Sequence, residues 1–171
     1  MKTNKKISVF LVDDDAIFLK VLETQFKERS SYEVRTFSSG EECIKNLSLK
    51  PDIIFLDYYL NPTNPKANTG LQILDQIKAI NEDLHVVMLS SQDNIDVAIN
   101  CMKHKAFDYI VKNESSFIRA RKAISVLFYQ NKLEKELGFY RNSSVILTSI
   151  IAVLILVSIS IQIYYPDLMN K

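Results

Sequence analysis

A small set of side chains could share one chemistry if the chain brings their segments together. Asp13, Asp14 and Asp15 follow the apolar run ISVFLV, and Asp57 follows IIFL. Ser90 and Ser91 follow VVML, and Lys112 follows FDYIV. Carboxylates crowded at one place repel one another unless a cation joins them. Oxygen-only ligands with room for water suit Mg²⁺. A metal beside a free carboxylate and a fixed lysine also makes a receptor for a phosphoryl group. The metal and the ammonium neutralise the developing charge while the carboxylate attacks. On this reading Asp57 is the nucleophile and Asp13 and Asp14 hold the metal.

The elements that must position these groups are legible in the apolar pattern. Short apolar runs at Ile7–Val12, Glu33–Phe37, Asp52–Leu56, His85–Leu89 and Phe107–Val111 alternate with segments of helical period. Phe18, Val21, Leu22 and Phe26 share one helical face. So do Ile73, Leu74, Ile77 and Ile80, and so do Ile95, Ala98, Ile99 and Met102. Phe117, Ala120, Ile124 and Phe128 begin a fifth helix. Five strands alternating with five helices predict a parallel sheet in an α/β fold. The first, third and fourth runs are apolar almost throughout, as in strands covered on both faces, whereas the second and fifth alternate. This predicts the flavodoxin-like order 2-1-3-4-5, with the reactive groups at the carboxyl ends of the strands. A loop rich in proline and asparagine, about 58–69, borders that rim.

Composition narrows the function classes. The chain has 171 residues, with 21 Lys+Arg against 20 Asp+Glu and a net charge of +1. That balance argues against a nucleic-acid binder. Two cysteines, Cys43 and Cys101, make no disulfide framework and read as reduced thiols. His85 and His104 stand alone in the sequence and read as structural or solvent-facing rather than catalytic. The N-terminal residues lead straight into the first strand, without the pattern of a signal peptide.

The segments FLVDDD, IIFLDYYL, VVMLSS and FDYIVK together resemble the receiver domain of two-component response regulators, over about residues 6–128. The resemblance implies that Asp13 and Asp14 are the acid pair, Asp57 the phosphoacceptor and Lys112 the phosphate-contacting lysine. It also implies that Ser90 is the switch hydroxyl and Tyr109 the switch aromatic. The backbone carbonyl of Tyr59 would join Asp13, Asp14 and Asp57 around Mg²⁺. The implied donor is a histidine kinase or a histidine phosphotransfer protein. Two departures stand out. Asn113 replaces the proline usual after the lysine, and the loop after Asp57 is about five residues longer than usual.

The C-terminal end differs from the rest. Residues 142–166 hold no charged side chain. Val145–Tyr165 would reach roughly 31 Å as a helix, the thickness of a hydrocarbon core. Lys132, Lys135 and Arg141 precede it and only Lys171 follows. The positive-inside rule then puts the N-terminal domain in the cytoplasm of a bacterium. The expected organisation is a receiver domain over 5–128, a helical linker or stalk over 129–143, a single-pass transmembrane helix over 144–165 and a short tail over 166–171. Ala123, Val126, Gln130, Leu133, Leu137 and Tyr140 recur at coiled-coil spacing. They fit either a homodimer seam through 123–140 or an amphipathic extension.

The function expected is therefore a phosphorylation-operated switch at a membrane. It works by altered binding to an unidentified downstream protein, with no separate catalytic domain. The alternative is a receiver-like scaffold that is not phosphorylated. A third reading rests on Asp13-x-Asp15, which resembles the haloacid-dehalogenase phosphatase signature. It would make Asp13 the nucleophile and would need acids after the fourth strand, where Ser90, Ser91 and Gln92 stand.

Overall fold

The computed structural model describes residues 6–28, 31–60, 68–129 and 147–155. The chain divides into two units, Met1–Ser125 and Val126–Lys171, and the strands all lie in the first. These are β1 (Ile7–Val12), β2 (Tyr32–Phe37), β3 (Ile53–Asp57), β4 (His85–Ser90) and β5 (Asp108–Val111). The helices are α1 (Ala16–Lys27), α2 (Gly40–Lys45), α3 (Gly70–Ile80), α4 (Ile95–Lys103) and α5 (116–129), with a 3₁₀ turn at Leu47–Leu49 and a further helical segment over 147–155.

All pairings are parallel and the order is β2-β1-β3-β4-β5, as the apolar pattern predicts. β3 is buried at every position, and β1 and β4 are buried along their carboxyl-terminal parts. Side chains alternate across a strand, so the three central strands serve two cores. Phe10, Val12, Ile54, Leu56, Val86 and Met88 pack with Ile73, Leu74 and Ile77 of α3 and with Cys101 of α4. On the alternate positions, Phe55 meets Phe26 of α1 at 5.8 Å between ring centroids. Phe26 in turn meets Phe117 of α5 edge-on at 5.1 Å.

Two helical faces differ from the periodic reading. α1 buries Leu19, Leu22 and Phe26, while Val21 is 52% exposed and Phe18 is half-buried. In α4 only Cys101 is fully buried, and Ile95, Ile99 and Met102 face solvent. Periodicity finds an apolar stripe, but packing across the fold decides how much of it is covered. Ala123, the first residue of the proposed coiled-coil seam, is buried at 3% exposure. Residues 130–140 of that seam lie outside the described residues.

The membrane expectation is corrected. Residues 144–146 and 156–165 of the expected span lie outside the described residues, and the described part is helical over 147–155. Among the described residues no helix is long and apolar enough to cross a membrane. The expected single-pass anchor, membrane localisation and lipid partner thus find no support among the described residues.

Candidate functional site at the carboxyl ends of the strands

The parallel register carries the reactive groups to one rim. β1 delivers Asp13, whose N–H donates to the Phe37 carbonyl at 3.1 Å, so the chain leaves the sheet at a fixed point. Asp57 is the last residue of β3, and Ser90 the last of β4. The Lys112 amide donates to the Ser90 carbonyl at 2.7 Å, continuing the ladder one residue past β5. Each placement follows from the parallel pairing of the strands.

At the centre stands Lys112. Its ammonium lies 2.6 Å from Oδ2 of Asp13 and 2.7 Å from Oδ1 of Asp57. Asp13 is 1% exposed and Asp57 2% exposed. These contacts are ion pairs; no well-directed hydrogen bond reaches either oxygen from the described residues. The second oxygens are held by local amides. Asp13 Oδ1 accepts from the Asp15 N–H at 3.0 Å, and Asp57 Oδ2 accepts from the Tyr59 N–H at 3.1 Å.

The electrostatics are unbalanced. Burial raises the Asp13 carboxyl from 3.8 to about 6, with the Lys112 contact only partly opposing it. Burial likewise raises Asp57. Burial pulls Lys112 down, but the two carboxylates outweigh it and hold the ammonium above its ordinary range. One cation thus faces more negative charge than it can neutralise.

A divalent cation fits that imbalance. Carboxylate oxygens of Asp13, Asp14 and Asp57 lie within 4.8 Å of one another, and the Asp14 side chain is exposed where water can complete a shell. This is a hard, all-oxygen donor set, the kind Mg²⁺ takes. Receiver domains bind Mg²⁺ at such an acidic pocket.

The remaining expected residues are nearby. Ser90 is fully buried, and its Oγ accepts from the Gln92 N–H at 3.2 Å. The Tyr109 hydroxyl donates to the Gln92 carbonyl at 2.7 Å, and its ring packs on the core beneath α4. The Tyr59 hydroxyl donates to Gln92 Oε1 at 3.0 Å. Gln92 therefore touches three of the expected residues through three different groups. Nothing in its type or spacing marks it in the sequence.

Asp15 is taken by another task. Its Oδ1 caps α1, accepting from the N–H groups of Ile17 at 2.9 Å and Phe18 at 3.1 Å. That removes the second acid of the phosphatase-like Asp13-x-Asp15 reading. Asn113 has a local role too. Its N–H donates to Ser116 Oγ at 2.6 Å, and its Oδ1 accepts from the Ser115 N–H at 2.9 Å. No cis peptide occurs among the described residues. The two histidines make contacts of their own. His104 pairs with Asp75 at 2.6 Å, and the His85 ring meets Phe107 edge-on.

A five-stranded parallel sheet in the order 2-1-3-4-5, with paired acids and a lysine on its carboxyl rim, defines the receiver class of fold. The same architecture occurs in the receiver domain of a putative Luxo repressor protein from Vibrio parahaemolyticus, with a TM-score of 0.65 and 22% identity. That match covers 77% of this chain and 97% of the other. A response regulator receiver domain protein from Clostridium thermocellum matches with a TM-score of 0.62 and 26% identity, over 74% of this chain and 98% of the other. Residues 9–123 match the response regulator receiver domain family, and the chain belongs to it.

Among curated proteins, a protein-glutamate methylesterase/protein-glutamine glutaminase of Bacillus subtilis is 37% identical over 114 residues. The alignment covers 64% of this chain and 30% of that protein. The transcriptional regulatory protein PrrA of Mycobacterium leprae is 31% identical over 105 residues, 61% of this chain and 42% of that protein. The chain thus spans less than half the length of these relatives.

Proposed function

We propose that this receiver accepts a phosphoryl group on Asp57 and signals by altered binding to another protein. The observation that carries the reading is the placement of Lys112 between Asp13 and Asp57. One carboxylate is left to receive the group while the other, with Asp14, holds the cation.

The donor is the phosphohistidine of a histidine kinase or a phosphotransfer protein. A carboxylate oxygen of Asp57 attacks phosphorus. The P–N bond breaks, and its electron pair stays on the imidazole, which takes a proton. Asp13, Asp14, Asp57 and the Tyr59 carbonyl would hold Mg²⁺, which when bound offsets charge on the phosphoryl oxygens. The Lys112 ammonium, already within ion-pair distance of Asp57, neutralises another of those oxygens. Ser90 offers its hydroxyl to the new acyl phosphate, giving up the bond from Gln92. Tyr109, tied to the same Gln92, carries that change to the surface of α4 and β5. The phosphoacceptor unit is the segment 5–128.

The test is to incubate the full chain with Mg²⁺ and acetyl phosphate and to measure intact mass. We expect one added phosphoryl group, absent in Asp57→Ala and strongly reduced in Asp13→Ala. Labelling that survives Asp57→Ala would sink the assignment. An adduct with neither acetyl phosphate nor a cognate kinase, and no binding of beryllofluoride, would favour the unphosphorylated scaffold.

A further inference from the structure

Phe18 is half-buried, although its neighbours Leu19 and Leu22 are core residues. Its ring faces the Lys112 ammonium, with Nζ 4.8 Å from the ring centroid. A cation over an aromatic face is attracted by the ring quadrupole, and more strongly where water is excluded. The Lys112 side chain is 12% exposed, so the contact is partly shielded from water.

Local hydrogen bonds help to place the ring. Asp13 Oδ1 accepts the Asp15 N–H at 3.0 Å. Asp15 Oδ1 accepts the Phe18 N–H at 3.1 Å, which fixes the first turn of α1. Phe18 then presents its ring to Lys112, and Lys112 returns to Asp13 Oδ2 at 2.6 Å. Four residues close a circuit that includes the reactive lysine. The ring and the two carboxylates together define where the ammonium can sit.

This matters when the site fills. A cation held by Asp13 would compete with the Lys112 contact to that carboxylate. A lysine on a flexible four-carbon stem would then be free to swing toward water. The Phe18 ring closes the side of α1, where Phe18 and Lys112 border an open cleft of about 340 Å³ with Asp15, Val21, Asn113 and Phe117. We propose that Phe18 is a positioning residue, holding the Lys112 ammonium beside Asp57 through its ring face while Asp13 is engaged elsewhere. The inference rests on the phosphoacceptor reading above.

The experiment compares Phe18→Leu and Phe18→Tyr in the full chain with Mg²⁺ and acetyl phosphate. In the step followed, Asp57 displaces acetate from phosphorus, and acetate leaves with the electron pair of the broken P–O bond. Leucine keeps an apolar side chain of similar reach but has no ring, whereas tyrosine keeps the ring. We expect Phe18→Leu to slow labelling roughly five- to tenfold and Phe18→Tyr to stay within about twofold of the unchanged chain.

A second readout is the NMR shift of the Lys112 ε-methylene protons. The ring should move them upfield, and Phe18→Leu should abolish that displacement without broadening the rest of the spectrum. Equal labelling rates in Phe18→Leu and the unchanged chain would overturn the role of Phe18 alone. So would a Phe18→Tyr variant as slow as Phe18→Leu, which would mean packing rather than the ring. Unshifted methylene protons would overturn it even if Phe18→Leu failed to fold. A chain that takes no phosphoryl group at Asp57 from any donor would overturn the phosphoacceptor reading and this role with it.

Discussion

Gly70 lies flat against the main chain of Asp57. A β-carbon at position 70 would collide with the Asp57 carbonyl oxygen and would come within 2.8 Å of the Tyr58 α-carbon. The Gly70 N–H donates to the Tyr58 carbonyl at 3.1 Å, so the start of α3 is clamped to the end of β3. The absent side chain is what permits this approach.

Gly70→Ala must therefore push β3 and α3 apart. Overpacking of this kind costs about 1–3 kcal/mol, and here it also displaces Asp57. Urea denaturation should show the loss of stability. Acetyl phosphate labelling should be slower than in the unchanged chain even at temperatures where the variant is fully folded. A variant of unchanged stability would mean that the clamp yields easily.

The buried acids make the metal-free chain sensitive to pH. The folded Asp13 carboxyl titrates near 6 because burial disfavours its charged form, against 3.8 ordinarily. The folded state thus binds this proton more tightly than the unfolded one. The stabilisation is fully present below the ordinary value and is lost as pH rises through about 6. Burial moves Asp57 in the same direction. In the presence of a chelator, Asp13→Asn should be more stable than the unchanged chain at pH 7.5, by about 1–3 kcal/mol. The advantage should shrink toward pH 4, and saturating Mg²⁺ should reduce it at pH 7.5. Denaturation midpoints across that range are the measurement, and an advantage that grows on acidification would contradict the sign.

The turn after Lys112 rests on hydrogen bonds. Ser116 is 4% exposed, and its Oγ accepts from the Asn113 N–H at 2.6 Å while facing the Val111 and Asn113 carbonyls. Ser116→Ala should cost about 1–2 kcal/mol, because a partly buried N–H then lacks its acceptor. Asn113→Pro removes that N–H altogether. In the Ser116→Ala background it should therefore add little further loss, as a double-mutant cycle in urea would reveal. Fully additive losses would mean that the two residues act separately.

Much of this was legible in the sequence. The bounds of β1 coincide with the apolar run Ile7–Val12, β2, β4 and β5 differ from their runs by one residue at one end, and β3 is shifted by one residue at both ends. The order of the sheet followed from which runs are apolar throughout and which alternate. Asp13, Asp57, Ser90 and Lys112 were readable because each directly follows such a run, and parallel strands end on one rim. Gly70 had a weak signal, as a glycine at the start of a helix after a long loop. Gln92 and Phe18 had none. Their roles depend on a carbonyl, an amide or a ring face brought close by residues far away in the chain.

The tail was misread for a related reason. Hydropathy registers that 145–165 is apolar, but crossing a bilayer needs one uninterrupted helix of sufficient length. Among the described residues no helix meets that requirement. Likewise the stripe of Ile95, Ile99 and Met102 in α4 is real, yet it faces solvent, because α4 meets the core through Cys101 and Val97.

By itself the sequence determined the period of each element, the order of the strands and the chemical types gathered at their ends. Those properties follow from local alternation and from the geometry common to all parallel sheets. Only the tertiary structure decided which charges are buried together, and hence that Asp13 and Asp57 share a single ammonium. It alone set the Phe18 ring over Lys112 and Gly70 against Asp57. Desolvation, ring contacts and backbone clashes depend on distances across the fold, and no local pattern encodes them.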